Sequence, residues 1–412
     1  MNKNEMTFVA GIDIGNGYVK GCIEGTFQSD IDIPSGVAYV TTTHDIKTDL
    51  SEAEAVIGDI FNQMDVSFES SLINDTTRRI FGRRGLQSGM SVEEFDVYSH
   101  LSKAKQPLSY MLTLGCVAGK ALQEYWAQNK ALPDNIIKVN VAEIALALPI
   151  TEYKRYRKEY ADGYKAVNHI VEFHNFDTPV RVEIHFSDVQ VIAEGASAHY
   201  AIHDKGAALM NSMLNDIRNI GYDFEGITAE DILQANNTIG VDIGEGTVNF
   251  PIFQNGKFNP DASNTFDKGY GAVMNAALER LQDNGYPFKS RKELVDFLNT
   301  TPTALTRSRY KAIESVVDEE ITSFVNETVM QFSKQLARVG SYIEVIYVYG
   351  GGANPVKNEL YPAIMEKVKS IGNGDVMYPV LYLGSEYSRY LNSEGLFVFA
   401  KKLYAANNAK KK

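Results

Sequence analysis

The feature that most constrains this chain is a motif written twice. "GIDIGNGYVKG" (Gly11–Gly21) returns as "GVDIGEGTVNF" (Gly240–Phe250), and six of the first ten positions are identical. Each copy is a strand-length apolar run that ends in Asp-x-Gly-x-Gly and passes into a second such run, the pattern of a hairpin with a tight turn. Glycines there permit positive φ and strip the tip of side chains. Backbone N–H groups can then approach an anion such as phosphate. The aspartate before each tip, Asp13 or Asp242, stands where it can hold a magnesium ion through water. Either hairpin alone reads more readily as an ordinary glycine turn. One in each half of the chain is different, because two such loops can close on a single triphosphate.

A third glycine site follows. "YVYGGGANPV" (Tyr349–Val356) reads as a buried strand, a loop and a helix, with Asn354 as its N-cap and Pro355 at its first position. Bare backbone at Gly350, Gly351, Gly352 and Ala353 can pack against a purine or its ribose, and the helix start favours anions. The alternative is a close helix–strand crossing. Elsewhere, Leu114–Lys130 has helical spacing, Lys138–Ile150 reads as a strand buried on both faces, and a helix follows from Thr151 to about Lys165. Val180–Glu194 alternates like strands, and a long helix covers about Arg309–Val339. Strands and helices alternating at this scale mean α/β, here in two related halves, each with its own sheet.

Composition excludes several classes. A formal charge of −12 argues against direct nucleic-acid contact, since a phosphate backbone would be repelled, so a DNA role would pass through an adaptor. No apolar run approaches the roughly 18 residues of a membrane helix, "IALALPI" (Ile144–Ile150) being among the longest. No signal segment is apparent at the N-terminus. Cys22 and Cys116 stand in no metal or redox spacing, which fits a reducing, cytoplasmic setting.

At these residues the chain resembles the actin superfamily of ATPases, which also includes heat-shock chaperones and sugar kinases. "DIGNGYVK" looks like that family's first phosphate loop, "VDIGEGTVNF" like its second, and "YGGGANP" is similar to its adenosine loop. "DVQVIAEGASAHYA" (Asp188–Ala201) resembles the connecting segment between the two phosphate loops. Within the superfamily the likeness is greatest to bacterial plasmid-segregation actins of the ParM type, carried by "ALALPITEYKRYRKEY", the acidic residue of "VIAEGA" and the closing "SRYLNSEGLFVFAKKL".

The resemblance implies an actin-like (ribonuclease H-like) α/β fold of two related domains with a nucleotide cleft between them. Domain I would be residues 1–193 plus 389–412, with a variable outer subdomain at about 40–110, and domain II residues 194–388. It implies ATP, with GTP as an alternative, and Mg2+ as cofactors. The implied partners are further copies of the chain in a filament and a DNA-binding adaptor on a plasmid centromere, with no direct nucleic-acid contact and no membrane. Residue by residue, Asp13 would arrange magnesium-bound water at the first loop, Gly15, Asn16 and Gly17. Asn16 stands where many actins have serine. Lys20 would neutralise β/γ-phosphate oxygens. Asp242 would be the second magnesium-side carboxylate, Gly244, Glu245, Gly246 and Thr247 the second loop, and Gly350–Ala353 the adenosine contact. Glu245 replaces the glycine or small residue of many relatives. Glu194 would orient or deprotonate the attacking water, in a hydrolysis that is mostly positioning and charge neutralisation.

Rival readings are a small-molecule kinase of the same fold, with Asp188 or Asp267 as its base, a chromosomal cell-shape or division actin, and a chaperone ATPase. Three other features invite attention. "TEYKRYRKEYADGYK" interleaves Lys154, Arg155, Arg157 and Lys158 with tyrosines, yet Tyr153, Tyr156, Tyr160 and Tyr164 fall on one helix face. "RRIFGRRG" (Arg78–Gly85) is a basic cluster that reads as a partner contact or an exposed turn. His199 and His203 lie one helical turn apart, as a metal pair would.

Overall fold

A computed structural model describes residues 3–27, 30–40, 48–96, 101–222, 224, 226–339, 342–371 and 378–410. Residues 41–47 and 97–100 of the expected outer subdomain lie outside the described residues. The chain divides into two compact units, residues 1–204 with 390–412 and residues 205–389.

The duplication extends from the motif to the strand order. In the first unit Ile31–Pro34, Tyr18–Ile23 and Glu5–Ile14 form an antiparallel meander, Ile137–Leu148 lies parallel to the last of these, and Val189–Ala193 lies parallel in turn. In the second unit Asn264–Phe266, Val248–Phe250 and Thr238–Ile243 form the meander, followed in parallel by Val345–Tyr349 and Val380–Tyr382. The hairpin of each meander is the repeated motif. The first sheet continues through Val180–Phe186, His169–Phe173 and Asp65–Glu69 to eleven strands among the described residues, and the second has seven there. Thr238–Ile243 and Val345–Tyr349 are buried at every position, as parallel strands covered on both faces must be.

One helix departs from its sequence reading. Pro107–Asn129 begins well before Leu114 and buries almost every residue from Leu108 to Tyr125. A helix enclosed all round has no polar face, so its first turns carry no period to read. By contrast, Ile150–Lys165 is amphipathic as expected. Tyr160 and Tyr164 are buried, Tyr153 and Tyr156 pack against the same core, and the four basic residues are exposed. The buried hydroxyls are satisfied, with Tyr164 donating to Thr113 Oγ1 at 3.0 Å and Tyr160 bonded to Ser109 at 2.5 Å.

The basic cluster is neither an open patch nor a loose turn. Arg78 grips Asp65 through two bonds of 2.9 and 2.6 Å. Arg79 is 1% exposed, bonds Asp75 at 2.6 Å and lies 3.7 Å above the Tyr39 ring. Arg83 pairs with Asp59 at 3.1 Å, and Arg84 donates to the Gln63 carbonyl at 3.0 Å. These arginines tie the outer segment to itself. Sequence spacing hid this because the partners Asp59, Gln63 and Asp65 lie upstream, beyond the cluster.

Closure of the first unit depends on glycine. The helix Leu391–Ala409 crosses the strand Glu5–Ile14 so closely that a Cβ on Gly11 would overlap the backbone of Leu396 and Phe397. Gly395 meets the Ser197 carbonyl in the same way. Beside this crossing Glu143 is 1% exposed, with one carboxylate oxygen lacking a hydrogen bond. Burial, then the neighbouring Asp188 charge, push its pKa up to about 7 against weaker hydrogen bonds from Gln190 and Asn407. The folded state therefore holds a proton that the unfolded chain has released, and this contribution to stability is lost as pH rises through about 7. Glu143→Gln should raise stability at about pH 8 by roughly 1–3 kcal/mol and leave it nearly unchanged near pH 5. Thermal melting of both proteins at the two pH values checks this, and equal shifts at both would refute it. Among the described residues, no helix is long and apolar enough to cross a membrane.

Candidate functional site

In the first unit the strand Glu5–Ile14 carries Asp13 to its hairpin, and the antiparallel register sets Lys20 directly opposite. The Gly15 N–H closes the turn on the Tyr18 carbonyl at 3.0 Å, and a Cβ on Gly15 would stand 2.6 Å from that oxygen. Asn16 and Gly17 form the partly exposed tip. Ser35, which no sequence signal marks, braces the loop from behind. Its N–H donates to the Gly17 carbonyl at 3.0 Å and its hydroxyl to the Gly15 carbonyl at 2.5 Å.

Glu194 directly follows the strand Val189–Ala193, at the end of the parallel set where Asp13 also lies. Its carboxylate accepts a 2.7 Å bond from Lys103 Nζ, and the Lys103 side chain is 5% exposed. Burial, then repulsion from Glu194, hold the Asp13 pKa above the ordinary carboxylate value, while Lys103 and Lys20 oppose the shift. For Lys103, burial disfavours the charge, but the Glu194 and Asp13 carboxylates outweigh it and its pKa is raised. Two carboxylates and two lysines thus converge, and one of them, Lys103, escaped the sequence reading. It lies on a single helical turn, Lys103–Lys105, in a segment without period. Asp188, the kinase-type candidate, precedes the same five-residue strand and accepts from the Val189 N–H at 2.9 Å. That places it about 20 Å from Glu194, at the opposite end.

In the second unit the other two glycine motifs come together. Asp242, 4% exposed, is the last residue but one of its buried strand, and the Gly244 N–H closes the turn on the Thr247 carbonyl at 2.8 Å. Gly246 and Thr247 are partly exposed, and Thr247 Oγ1 accepts from Asn249 at 3.3 Å. Asp242 pairs in register with Tyr349, so the loop after Tyr349 lies against the second hairpin. Gly350 has φ of +103°, and a Cβ there would overlap the Ile243 carbonyl and come within 2.6 Å of Asp242 Oδ1. Only glycine suits that position. Gly351 is exposed, while the Gly352 N–H donates to the Ile243 carbonyl at 2.8 Å.

The helix after this loop starts at Ala353, ahead of Asn354, so Asn354 is not its cap. The Ala353 N–H already donates to the Gly350 carbonyl at 3.1 Å, which starts the winding inside the glycine turn. Pro355 remains in the first turn, where its missing N–H loses no helical bond. A further pair of glycines, Gly269 and Gly271, went unread. The Tyr270 and Gly271 N–H groups donate to the Gly244 and Glu245 carbonyls at 3.0 and 2.8 Å. The Glu245 carboxylate pairs with Arg291 at 2.5 Å, so a residue unusual for such a loop arrives with its charge balanced.

His199 and His203 meet edge to face with ring centroids 4.2 Å apart, and burial, then the His203 charge, bring the His199 pKa down to about 3. Among the described residues, no three metal-ligating side chains are grouped to hold a metal ion.

A sheet order built twice, each copy ending in a glycine hairpin behind an aspartate, defines a duplicated α/β protein of actin-like fold. Residues 11–196 match the family model for the N-terminal domain of actin like proteins, and residues 240–361 match that for the C-terminal part of an archaeal actin homologue, MreB-like. The chain belongs to the actin-like protein superfamily. No curated protein sequence matches it. Among solved structures it is similar to the actin-like protein Alp7A, with 17% identity, a TM-score of 0.62 and 98% of each chain covered. ParM of Bacillus thuringiensis, solved with ATP, has 15% identity and a TM-score of 0.56, covering 97% of this chain and 100% of that one. Ta0583, an archaeal actin homolog in complex with ADP, has 13% identity and a TM-score of 0.57 over 96% and 99%. At these identities the likeness is one of fold.

Proposed function

We propose that this protein is an ATPase whose nucleotide state controls its assembly into dynamic filaments, and that the filaments move plasmid DNA through a centromere-binding adaptor. The observation that carries the reading is the pair of equivalent hairpins, one per unit, each with an aspartate behind a bare-backbone tip. In this reading the two units act as domains I and II, and the hairpin of each binds nucleotide phosphate. Lys20 and the loop N–H groups neutralise the terminal phosphates, and Gly350–Ala353 receives the adenosine.

The groups present suit a magnesium-bearing triphosphate. Asp13 is enclosed enough for its charge to be disfavoured, the condition a nearby cation relieves. With no three-ligand protein cage among the described residues, magnesium would take its direct ligands from phosphate and water, and Asp13 and Asp242 would hold those waters. Magnesium screens the triphosphate charge. Glu194 orients the attacking water. The acidic net charge of −12 suits an indirect route to DNA.

High-speed sedimentation of the purified protein with magnesium-ATP, with ADP and without nucleotide tests the reading. Pelleting that depends on ATP is the expected result. A protein that stays in the supernatant under all three conditions and consumes ATP only with an added metabolite would instead be a small-molecule kinase.

A further inference from the structure

We propose that Lys103 is a positioning residue for hydrolysis that acts through Glu194, and this inference rests on the water-orienting role proposed for Glu194. The geometry fixes Lys103 at both ends. Its backbone N–H donates to Glu152 at 3.1 Å, and the same carboxylate accepts from the Ser102 hydroxyl at 2.6 Å, which anchors the turn to the start of helix Ile150–Lys165. Its ammonium bonds Glu194 Oε1 at 2.7 Å and lies 5.7 Å from the centre of the Phe95 ring. A surface lysine would sample many rotamers, whereas this one is 5% exposed and bonded to a carboxylate.

One oxygen committed to a fixed ammonium stops the Glu194 carboxylate from rotating about its terminal bond, which sets the direction of the other. The lysine's charge also opposes the repulsion of Asp13 by Glu194. Without it, Glu194 would lose its aim. Water activation depends on such aim, because a general base must sit within hydrogen-bond reach of the proton it takes. Lys103 touches neither water nor phosphate in this account. Its effect belongs on turnover and not on nucleotide binding.

The test is a double-mutant cycle on the full-length protein, read as kcat and KM for magnesium-ATP. Lys103→Met is expected to lower kcat on the order of 10–100-fold with KM within about 3-fold. Lys103→Arg, which keeps the charge and a donor, is expected to recover most of that loss. In a Glu194→Gln background, Lys103→Met is expected to cost less than about 2-fold more, because the partner it aims is already gone. Unchanged kcat in Lys103→Met, or the same fold-loss in both backgrounds, overturns the inference. A single Lys103→Met variant that fails to fold, with Glu194 left charged and enclosed, does not block the test. The double variant strands no charge, and its kcat compared with that of Glu194→Gln decides alone: equality supports the role, and a further loss of about tenfold or more overturns it. If Glu194→Gln itself hydrolyses ATP normally, the hydrolytic reading fails, a result distinct from failure of Lys103 alone.

Discussion

Glu194→Ala is expected to slow ATP hydrolysis roughly 10²–10⁴-fold while magnesium-ATP still binds. The carboxylate stands at the C-terminal end of the strand Val189–Ala193, held by Lys103 at 2.7 Å, and it shares with Asp13 the end of the sheet where the first hairpin turns. Binding should survive, because the loop N–H groups and Lys20 are untouched and carry the phosphate contacts in this reading. Filaments of the variant should therefore assemble with ATP and persist, since the step that would release them is slowed. Single-turnover phosphate release and nucleotide titration separate the two effects. Turnover within about 2-fold of the parent would remove Glu194 from the chemistry.

The second large effect concerns folding. Gly11→Ala is expected to destabilise the protein by about 3–5 kcal/mol, at the high end for one methyl group. The added carbon would enter the backbone of Leu396 and Phe397, and a backbone on both sides of the contact cannot turn aside as a side chain can. Relief would require the helix Leu391–Ala409 to lift from the strand Glu5–Ile14, exposing Val9, Ala145, Ala147, Leu396 and Ala400. Gly58→Ala serves as the control. No atom lies within 4 Å of its Cβ position, and it ends a helix, so alanine there should be neutral or slightly stabilising. Denaturant unfolding of both variants compares them. A Gly11→Ala protein as stable as Gly58→Ala would refute the close crossing.

That glycine shows how the motif conceals two functions. In sequence, Gly11 and Gly240 look like parts of a phosphate loop because they recur with it. In the fold neither lies at a tip. Gly11 admits a helix, and Gly240 makes room for the Tyr349 hydroxyl and Pro251. The tip glycines, Gly15 and Gly244, each close the turn by donating the N–H to the carbonyl three residues on, but neither takes the positive φ that the sequence reading expected; Gly15 is needed because a Cβ would stand 2.6 Å from the Tyr18 carbonyl.

The sequence by itself determined the two hairpins, the α/β alternation and the position of Asp13 opposite Lys20. All of these depend on neighbours within a few residues, where strand pleat and turn chemistry leave a readable period. It also carried the likeness of the two halves, because duplicated segments fold to duplicated strand orders. Tertiary structure alone decided which charges meet. Lys103 and Glu194 are 91 residues apart, and Arg78 finds Asp65 only because two short strands pair. No spacing rule encodes such contacts, since side chains far apart in the chain become neighbours only after sheets and helices have packed.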